Sequence, residues 1–416
     1  AKNRFDIIVT NPPFGANVKR SEHPYLEKFA LGKKLDKKGK EKLMNNQKTE
    51  VLFIERCIDF LKPETGQIAI VLPDSILTNP SLQYVRNFIM ERCQILAIVS
   101  MPIFTFAHYG ATVKSSLVFA RKRKSDEKHN RYKIFTALAQ HIGYEATGKI
   151  DPKNDLPAIL GKYEDFREGS SIKTQTSPEI FIIDSDEIEN RLDPFFYRPV
   201  FKKLVSAING TKHKSLSLSD IVEFSIAGGW GEDPKTFTPS SDYQLCYVLR
   251  NTNFDNKYNL NFDDVAQRYI RNDKVEKLAL KKGEILIEKS RGSPVQPVCR
   301  VAFVDDLPFD KPVVFSNFLQ KIRIANDSFS PEYVFTFLQM VYHLGYMDFL
   351  QNQTTGIKNL RVADFFKIKV PLLPKGEQTR IAKFAFNARS EAKDLETKAA
   401  ELLTKSRKQI EKIILS

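Results

Sequence analysis

Apolar positions in the first 140 residues come as short runs separated by stretches of helical spacing. Phe5–Thr10 (FDIIVT) reads as an apolar strand. Glu50–Leu61 (EVLFIERCIDFL) repeats its apolar residues at helical intervals, and Lys62-Pro63 stops it. Gln67–Leu72 (QIAIVL), Ile95–Ser100 (ILAIVS) and Ser116–Arg121 read as strands, with a helix predicted over Leu82–Arg92. Buried apolar strands alternating with helices predict a mostly parallel α/β sheet. Lys124–Arg131 reads as a charged turn into Tyr132–Leu138, and Gly148–Ser177 as a polar, turn-rich linker or insertion.

From about residue 190 to 372 the pattern changes. Short β-rich runs (Gln244–Leu249, Glu284–Ile287, Val298–Val304, Phe318–Ile324) sit among Pro, Gly and Asp, and Pro331–Gly345 has helical spacing. This predicts an α+β region with irregular loops. The last zone, Lys375–Ser416, reads as one long helix without Gly or Pro after its first turn. Ile381, Phe384, Ala388, Ala392, Leu395, Ala399, Leu402, Ser406, Ile410 and Ile413 recur at steps of three and four. Such a narrow stripe is a coiled-coil seam, and Glu377–Ile413 would extend roughly 55 Å at about 1.5 Å per residue. Domain boundaries are therefore expected at 1–185, 186–373 and 374–416.

Composition narrows the chemistry. A chain of 416 residues is too long for one ordinary domain. No apolar run is long enough to span a membrane, and no signal peptide opens the chain. Cys57, Cys93, Cys246 and Cys299 are far apart and the six histidines form no HxxxH pair, so neither a disulfide framework nor a metal site is indicated. A reducing cytoplasm is the expected location. The net charge of +14 favours a polyanionic partner, nucleic acid above all.

The strongest local signal is Asn11-Pro12-Pro13-Phe14, directly after the first strand. A strand ending in two prolines places a rigid turn at the carboxyl edge of the sheet, where open α/β folds bind ligands. The prolines remove two N–H donors and leave carbonyls free to accept. Asn11 adds a side-chain acceptor and Phe14 an aromatic face. Two acceptors beside an aromatic platform suit an exocyclic amine on a flipped adenine.

Here the sequence resembles the carboxyl-terminal portion of adenine-N6 DNA methyltransferases of the type I restriction–modification kind. Their amine-methylating motif, Asn-Pro-Pro-Phe or Tyr, is matched by Asn11, Pro12, Pro13 and Phe14. TEVLFIERCIDFLKPETGQIAIVLPDSIL resembles their helix–strand pair with its "VLPD" turn, and ILAIVSMPIFTFAHYGATVKSSLVFARK their next strand, Phe-rich loop and final strand. The resemblance implies a partial Rossmann-like methyltransferase sheet over 1–185. It implies that Asn11 and the Pro12 carbonyl accept from the adenine amine and that Phe14 stacks on the base. Phe104, Phe106 and Tyr109 are candidates for the other wall of the pocket. S-adenosylmethionine is the implied cofactor. Its Gly-rich turn lies upstream of the Asn-Pro-Pro motif in such enzymes, whereas ten residues precede Asn11 here and the chain begins with Ala. The expectation is a fragment with an open strand edge, inactive alone, whose bacterial parent carries the cofactor site. Gly228-Gly229-Trp230-Gly231 does not lie between a strand and a helix of an α/β unit, so it is not a cofactor loop.

Between Lys19 and Lys48 there are 10 Lys+Arg against 4 Asp+Glu. Lys19, Arg20, Lys33 and Lys34 are candidates to grip phosphates beside the flipped base. The second zone resembles a specificity-subunit target-recognition domain: Asn190–Tyr197 with Ser215–Phe224 as its entry, Lys282–Ser290 as an inner strand, and Thr354–Ile381 leading into the conserved helix. Exposed-loop candidates for base or phosphate contact are Trp230, Lys235, Arg250, Asn251, Lys289, Arg291, Lys358 and Arg361. One recognition domain and one helix are half of the usual specificity subunit, which implies pairing with a second copy, or a specificity-subunit-like partner, through 377–413. The function implied is sequence-specific adenine-N6 methylation of double-stranded DNA. The alternatives are a non-catalytic DNA-recognition and assembly module, or an amine or amide methyltransferase acting on RNA or protein.

Overall fold

The computed structural model of the chain describes residues 2–22, 24–35, 39–255, 259–291, 297–353 and 357–415. It divides into two compact units, one built on Ala1–Lys203 and the other on Leu204–Gln351 with Lys358–Ser416.

The first unit is a seven-stranded sheet with helices packed on it. Its strands are β1 (Ile7–Thr10), β2 (Gln67–Pro73), β3 (Cys93–Ser100), β4 (Ser115–Lys122), β5 (Lys133–Leu138), β6 (Gln175–Thr176) and β7 (Glu179–Asp184). The spatial order is β1-β2-β4-β3-β5-β7-β6. Only β1–β2 and β3–β5 pair in parallel; β4 runs antiparallel between β2 and β3, and β7 antiparallel to β5. The sheet is thus mixed rather than mostly parallel. The reason is the Met101–Lys114 loop, which turns the chain back between two earlier strands without a crossover helix. Helices α1 (Thr49–Phe60) and α2 (Gln83–Arg92) cover one face, burying Val51, Ile54, Ile58, Val85 and Ile89 against Ile68, Ile70, Ile95 and Val118. The stretch expected to be a linker instead carries α3 (Leu156–Arg167). Ile159 is buried, and Tyr163 and Phe166 pack on Phe135, so this helix covers the sheet's other face.

Strand β1 lies at the sheet's margin. Ile7 and Val9 alternate with Ile8 and stay 69% and 78% exposed, while Ile8 packs on the core. The carboxyl ends of β1, β2 and β3 and the start of β4 all reach one edge of the sheet. Asn190–Tyr197, read from sequence as the entry to the second zone, packs in this unit: Leu192 and Tyr197 join its core. The buried Arg86 donates to the Asn190 carbonyl at 2.9 Å.

The second unit holds a four-stranded antiparallel sheet in the order β8 (Val222–Ala227), β14 (Leu319–Ile324), β11 (Ile285–Glu288) and β12 (Val301–Phe303). A three-stranded sheet joins β10 (Ala266–Arg271), β9 (Tyr243–Leu249) and β13 (Val313–Phe315). Helix α4 (Pro331–His343) packs Val334, Phe335 and Leu338 into the core of the first of these sheets. A single helix of 41 residues, α5 (Lys375–Leu415), closes the chain. No helix among the described residues is long and apolar enough to cross a membrane.

Candidate functional site

The Asn11–Phe14 turn follows β1 at the carboxyl edge. Pro12 is buried, Phe14 half-buried and Asn11 exposed. Neither the Asn11 amide nor the Pro12 carbonyl finds a hydrogen-bond partner among the described residues. The Pro13 carbonyl, by contrast, accepts from the Thr49 hydroxyl at 3.0 Å. Gly15 adopts φ +83°, and its N–H donates to the Glu50 carboxylate at 3.2 Å. Glu50 is buried at 1% exposure in the first turn of α1. The turn therefore presents two unsatisfied acceptors and a ring while its following residues are tied down.

Two neighbouring strands complete the edge. Asp74, at the end of β2, is buried; its carboxylate accepts from the Ser116 hydroxyl at 2.7 Å and lies 4.0 Å from the Lys114 ammonium. Burial pushes the Asp74 carboxyl above its ordinary range, opposed by Lys114 and by Ser116. Lys114 also donates to the Ser100 hydroxyl at 2.6 Å and to the Met101 carbonyl. It thus pins both ends of the Phe-rich loop to the sheet.

That loop distributes its aromatics unevenly. Phe104 packs on the cluster around Val99, Met101 and Phe135. Phe106 is half-buried. Tyr109 is 78% exposed, its ring tilted against His108 at 3.8 Å, and His108 in turn sits 4.9 Å from Tyr144. Of the three, Tyr109 is displayed and Phe104 serves the core.

The basic stretch after the turn is folded. Asn17–Lys19 pairs with Asn46–Lys48, and Lys33–Leu35 with Glu41–Leu43. Glu55 of α1 anchors it by accepting from the Ala30 and Leu31 N–H groups, each at 2.7 Å. Lys19 pairs with Glu22 at 2.8 Å, Arg20 with Glu27 at 3.2 Å and Lys33 with Glu41 at 3.4 Å, all exposed. Lys34 lies 5.6 Å over the Tyr84 ring. The local positive charge is thus partly offset by its own acids.

In the second unit the Gly228–Gly231 loop links β8 to β9, two strands with no helix between. Gly228 is required there: a Cβ would meet the Phe315 carbonyl oxygen at 2.2 Å. Trp230 is 37% exposed with the Arg268 guanidinium 4.6 Å over its ring. Lys235 is exposed, and Asn251 gives its carbonyl to Arg300 at 2.7 Å. Lys289 and Arg291 are half-buried, Arg291 lying 3.8 Å from the buried Glu288. Arg250 pairs with Asp264 at 2.8 Å and Arg361 with Asp364 at 2.8 Å. Lys358 is not on an exposed loop. It lies buried in the strand Lys358–Leu360, which pairs with Ser290–Arg291, and desolvation lowers its ammonium below the usual range. Thr354, Thr355 and Gly356 lie outside the described residues.

Glu50, Thr49, Asp74 and Lys114 escaped the sequence reading. The only hint for Glu50 was an acid in the first turn of a helix, a common stabilising placement in any helix.

The residues fit an amine acceptor but not the implied cofactor. β1 opens onto Asn11-Pro12 instead of a glycine-rich turn, and Gly228–Gly231 stands between two strands of the other unit. Neither turn is thus a glycine-rich cradle between a strand and a helix. Nor is any group of three His, Cys, Asp or Glu among them arranged to hold a metal ion.

Comparison with known proteins finds two separate family matches. Residues 1–104 match the Eco57I restriction-modification methylase family, and residues 234–405 match the type I restriction modification DNA specificity domain. The methylase subunit of the type I restriction enzyme EcoEI from Escherichia coli is 30% identical over 118 residues. That match takes 28% of this chain and 21% of the relative, so the chain spans about a fifth of that relative's length. Among solved structures, a type I modification subunit from Vibrio vulnificus aligns with 19% identity over 45% of this chain and 35% of its own, TM-score 0.33. The type IIG restriction endonuclease BpuSI aligns with 12% identity over 91% of this chain and 48% of its own, TM-score 0.38. One region of the chain thus matches a restriction–modification methylase family and another matches a type I specificity domain.

Proposed function

We propose that this chain is the amine-binding and target-recognising portion of an enzyme that methylates adenine N6 in double-stranded DNA, with S-adenosylmethionine as donor. The observation that carries the reading is the pair of unsatisfied acceptors, Asn11 Oδ1 and the Pro12 carbonyl, beside the Phe14 ring. An exocyclic amine has two hydrogens; donating both orients its lone pair away from the acceptors and toward an incoming methyl group. The same two acceptors stabilise the positive charge that develops on nitrogen during transfer. Phe14 offers one face for the extruded base, and the exposed Tyr109 is the candidate for the other. The second unit reads the target sequence, with Trp230 and Lys235 its most displayed candidates. The exposed Lys19, Arg20 and Lys34 and the half-buried Lys33 contact phosphates.

The test is long-read sequencing of DNA from cells that express the complete product of the gene encoding this chain. Methylated adenine within a defined motif, lost with Asn11→Ala while motif-specific DNA binding persists, is the expected result. Absence of methylated adenine from cells making folded protein would point to a recognition module without catalysis.

A further inference from the structure

The Asn11–Phe14 turn cannot fix its own position. Its two prolines bring no N–H donors, and its amine-accepting groups must stay free to work. What holds it comes from a distant part of the sequence. Thr49 donates its N–H to the Ala16 carbonyl at 3.0 Å and its hydroxyl to the Pro13 carbonyl at 3.0 Å. Glu50 accepts the Gly15 N–H at 3.2 Å, while the Thr49 hydroxyl lies 3.4 Å from the same carboxylate oxygen. Glu50 is 1% exposed, so this carboxylate is not merely a solvated surface acid. The first turn of a helix favours an anion, which makes a buried carboxylate tolerable there.

We propose that Glu50 and Thr49 are positioning residues for methyl transfer, clamping the Asn-Pro-Pro-Phe turn from behind so that Asn11 Oδ1 and the Pro12 carbonyl keep their spacing. This rests on the adenine reading above. The clamp engages Pro13, Gly15 and Ala16 and leaves Asn11 and Pro12 alone. Such a division lets the turn be rigid and its acceptors unsatisfied at once. A displacement of about 1 Å at a reacting group lowers a rate on the order of 100-fold. The neutral amide of Gln still accepts one N–H, so Glu50→Gln preserves the Gly15 contact that Glu50→Ala abolishes.

The experiment measures single-turnover methylation of a duplex target by the complete gene product and its Glu50→Ala, Glu50→Gln, Thr49→Val and Asn11→Ala variants. KM for DNA and Tm are measured alongside. Glu50→Ala should lower kcat roughly 100-fold and Thr49→Val about 10-fold, with KM for DNA within about twofold. Glu50→Gln should recover most of kcat. A merely structural role would move Tm and KM and would not single out kcat. Wild-type rates in both Glu50→Ala and Thr49→Val, with Asn11→Ala inactive, overturn the clamp and spare the adenine reading. Retained methylation in Asn11→Ala overturns both. Failure of Gln to restore the rate, with Thr49→Val normal, also overturns the positioning role. Should Glu50→Ala not fold, Thr49→Val decides, because it keeps side-chain volume and removes only the hydroxyl.

Discussion

Glu55 shows how much a single buried acid organises at the residue scale. It stands one and a half turns after Glu50 on α1, 6% exposed, and receives two backbone N–H groups from a segment remote in sequence. Those donors belong to Ala30 and Leu31, and the buried Leu31 packs on Val51 and Ile54 of the same helix. Removing the carboxylate leaves a buried donor without a partner. Hydrogen bonds to charged groups contribute about 1.5–3 kcal/mol each, and an orphaned buried donor costs about 1–3 kcal/mol. Glu55→Ala should therefore destabilise the first unit by about 2–3 kcal/mol, allowing for water at the half-open Ala30 N–H. Urea unfolding gives the total, and hydrogen exchange at the Ala30 and Leu31 amides locates it. Unchanged protection at both amides would rule out the anchoring role. The Asn11–Phe14 motif was legible in the sequence because its residues are contiguous. Thr49, Glu50 and Glu55 were not, because partners 24 to 36 residues away leave no local pattern.

Elements were legible wherever their pattern was strong. The strands β2 to β5 and helices α1 and α2 fall within a few residues of their expected places, since each has an apolar face at one clear period. The direction of β4 was not legible, because periodicity reports burial and says nothing of which neighbour a strand joins. Helix α3 was missed for a different reason. Its Pro157 and Gly161 mimic a loop, yet Pro is well placed in a first turn and Gly161 faces open space. At the far end of the sheet, Arg121 and Arg123 converge on Glu127 just beyond β4, with Arg121 at 2.6 Å and Arg123 at 3.0 Å. The Arg121 hydrogen bond is the main force holding the Glu127 carboxyl down to about 2. A depressed carboxyl contributes stability that is present above the ordinary value of 4.5 and is lost as pH falls toward 2. Glu127→Gln should remove that component. The stability difference between wild type and variant, from urea midpoints, should shrink between about pH 5 and pH 3. A difference constant across this window would show that the pair does not tighten the end of β4.

At the scale of the whole molecule, the fate of α5 decides how the chain works. Its start is fastened to the second unit. Gln378 is fully buried, accepting the Ser330 N–H and donating to the Ser328 and Leu373 carbonyls. Phe386 packs edge-on to Phe303, and Ile381, counted in the seam from sequence, packs on the same core. Beyond Arg389 every described residue is exposed, and Leu395 and Leu402 stand 59% and 69% open. An isolated helix of this kind is marginal in water, and its apolar stripe has a use only when covered. Covering a leucine contributes about 1.5–3 kcal/mol, so a pair of such helices gains enough from a few layers to associate. The expected occupant is α5 of a second copy. Sedimentation of wild type at micromolar concentration should show a dimer. Leu395→Glu with Leu402→Glu should show a monomer whose two units melt unchanged, because neither residue belongs to a core. On the function proposed above, pairing would have a consequence: two recognition units held by one helix pair would read two half-sites separated by a spacer. The double variant should then lose the split motif in methylation mapping while retaining weak binding to a single half-site. A wild-type monomer, with and without DNA, would leave the seam without its partner and predict one continuous motif instead.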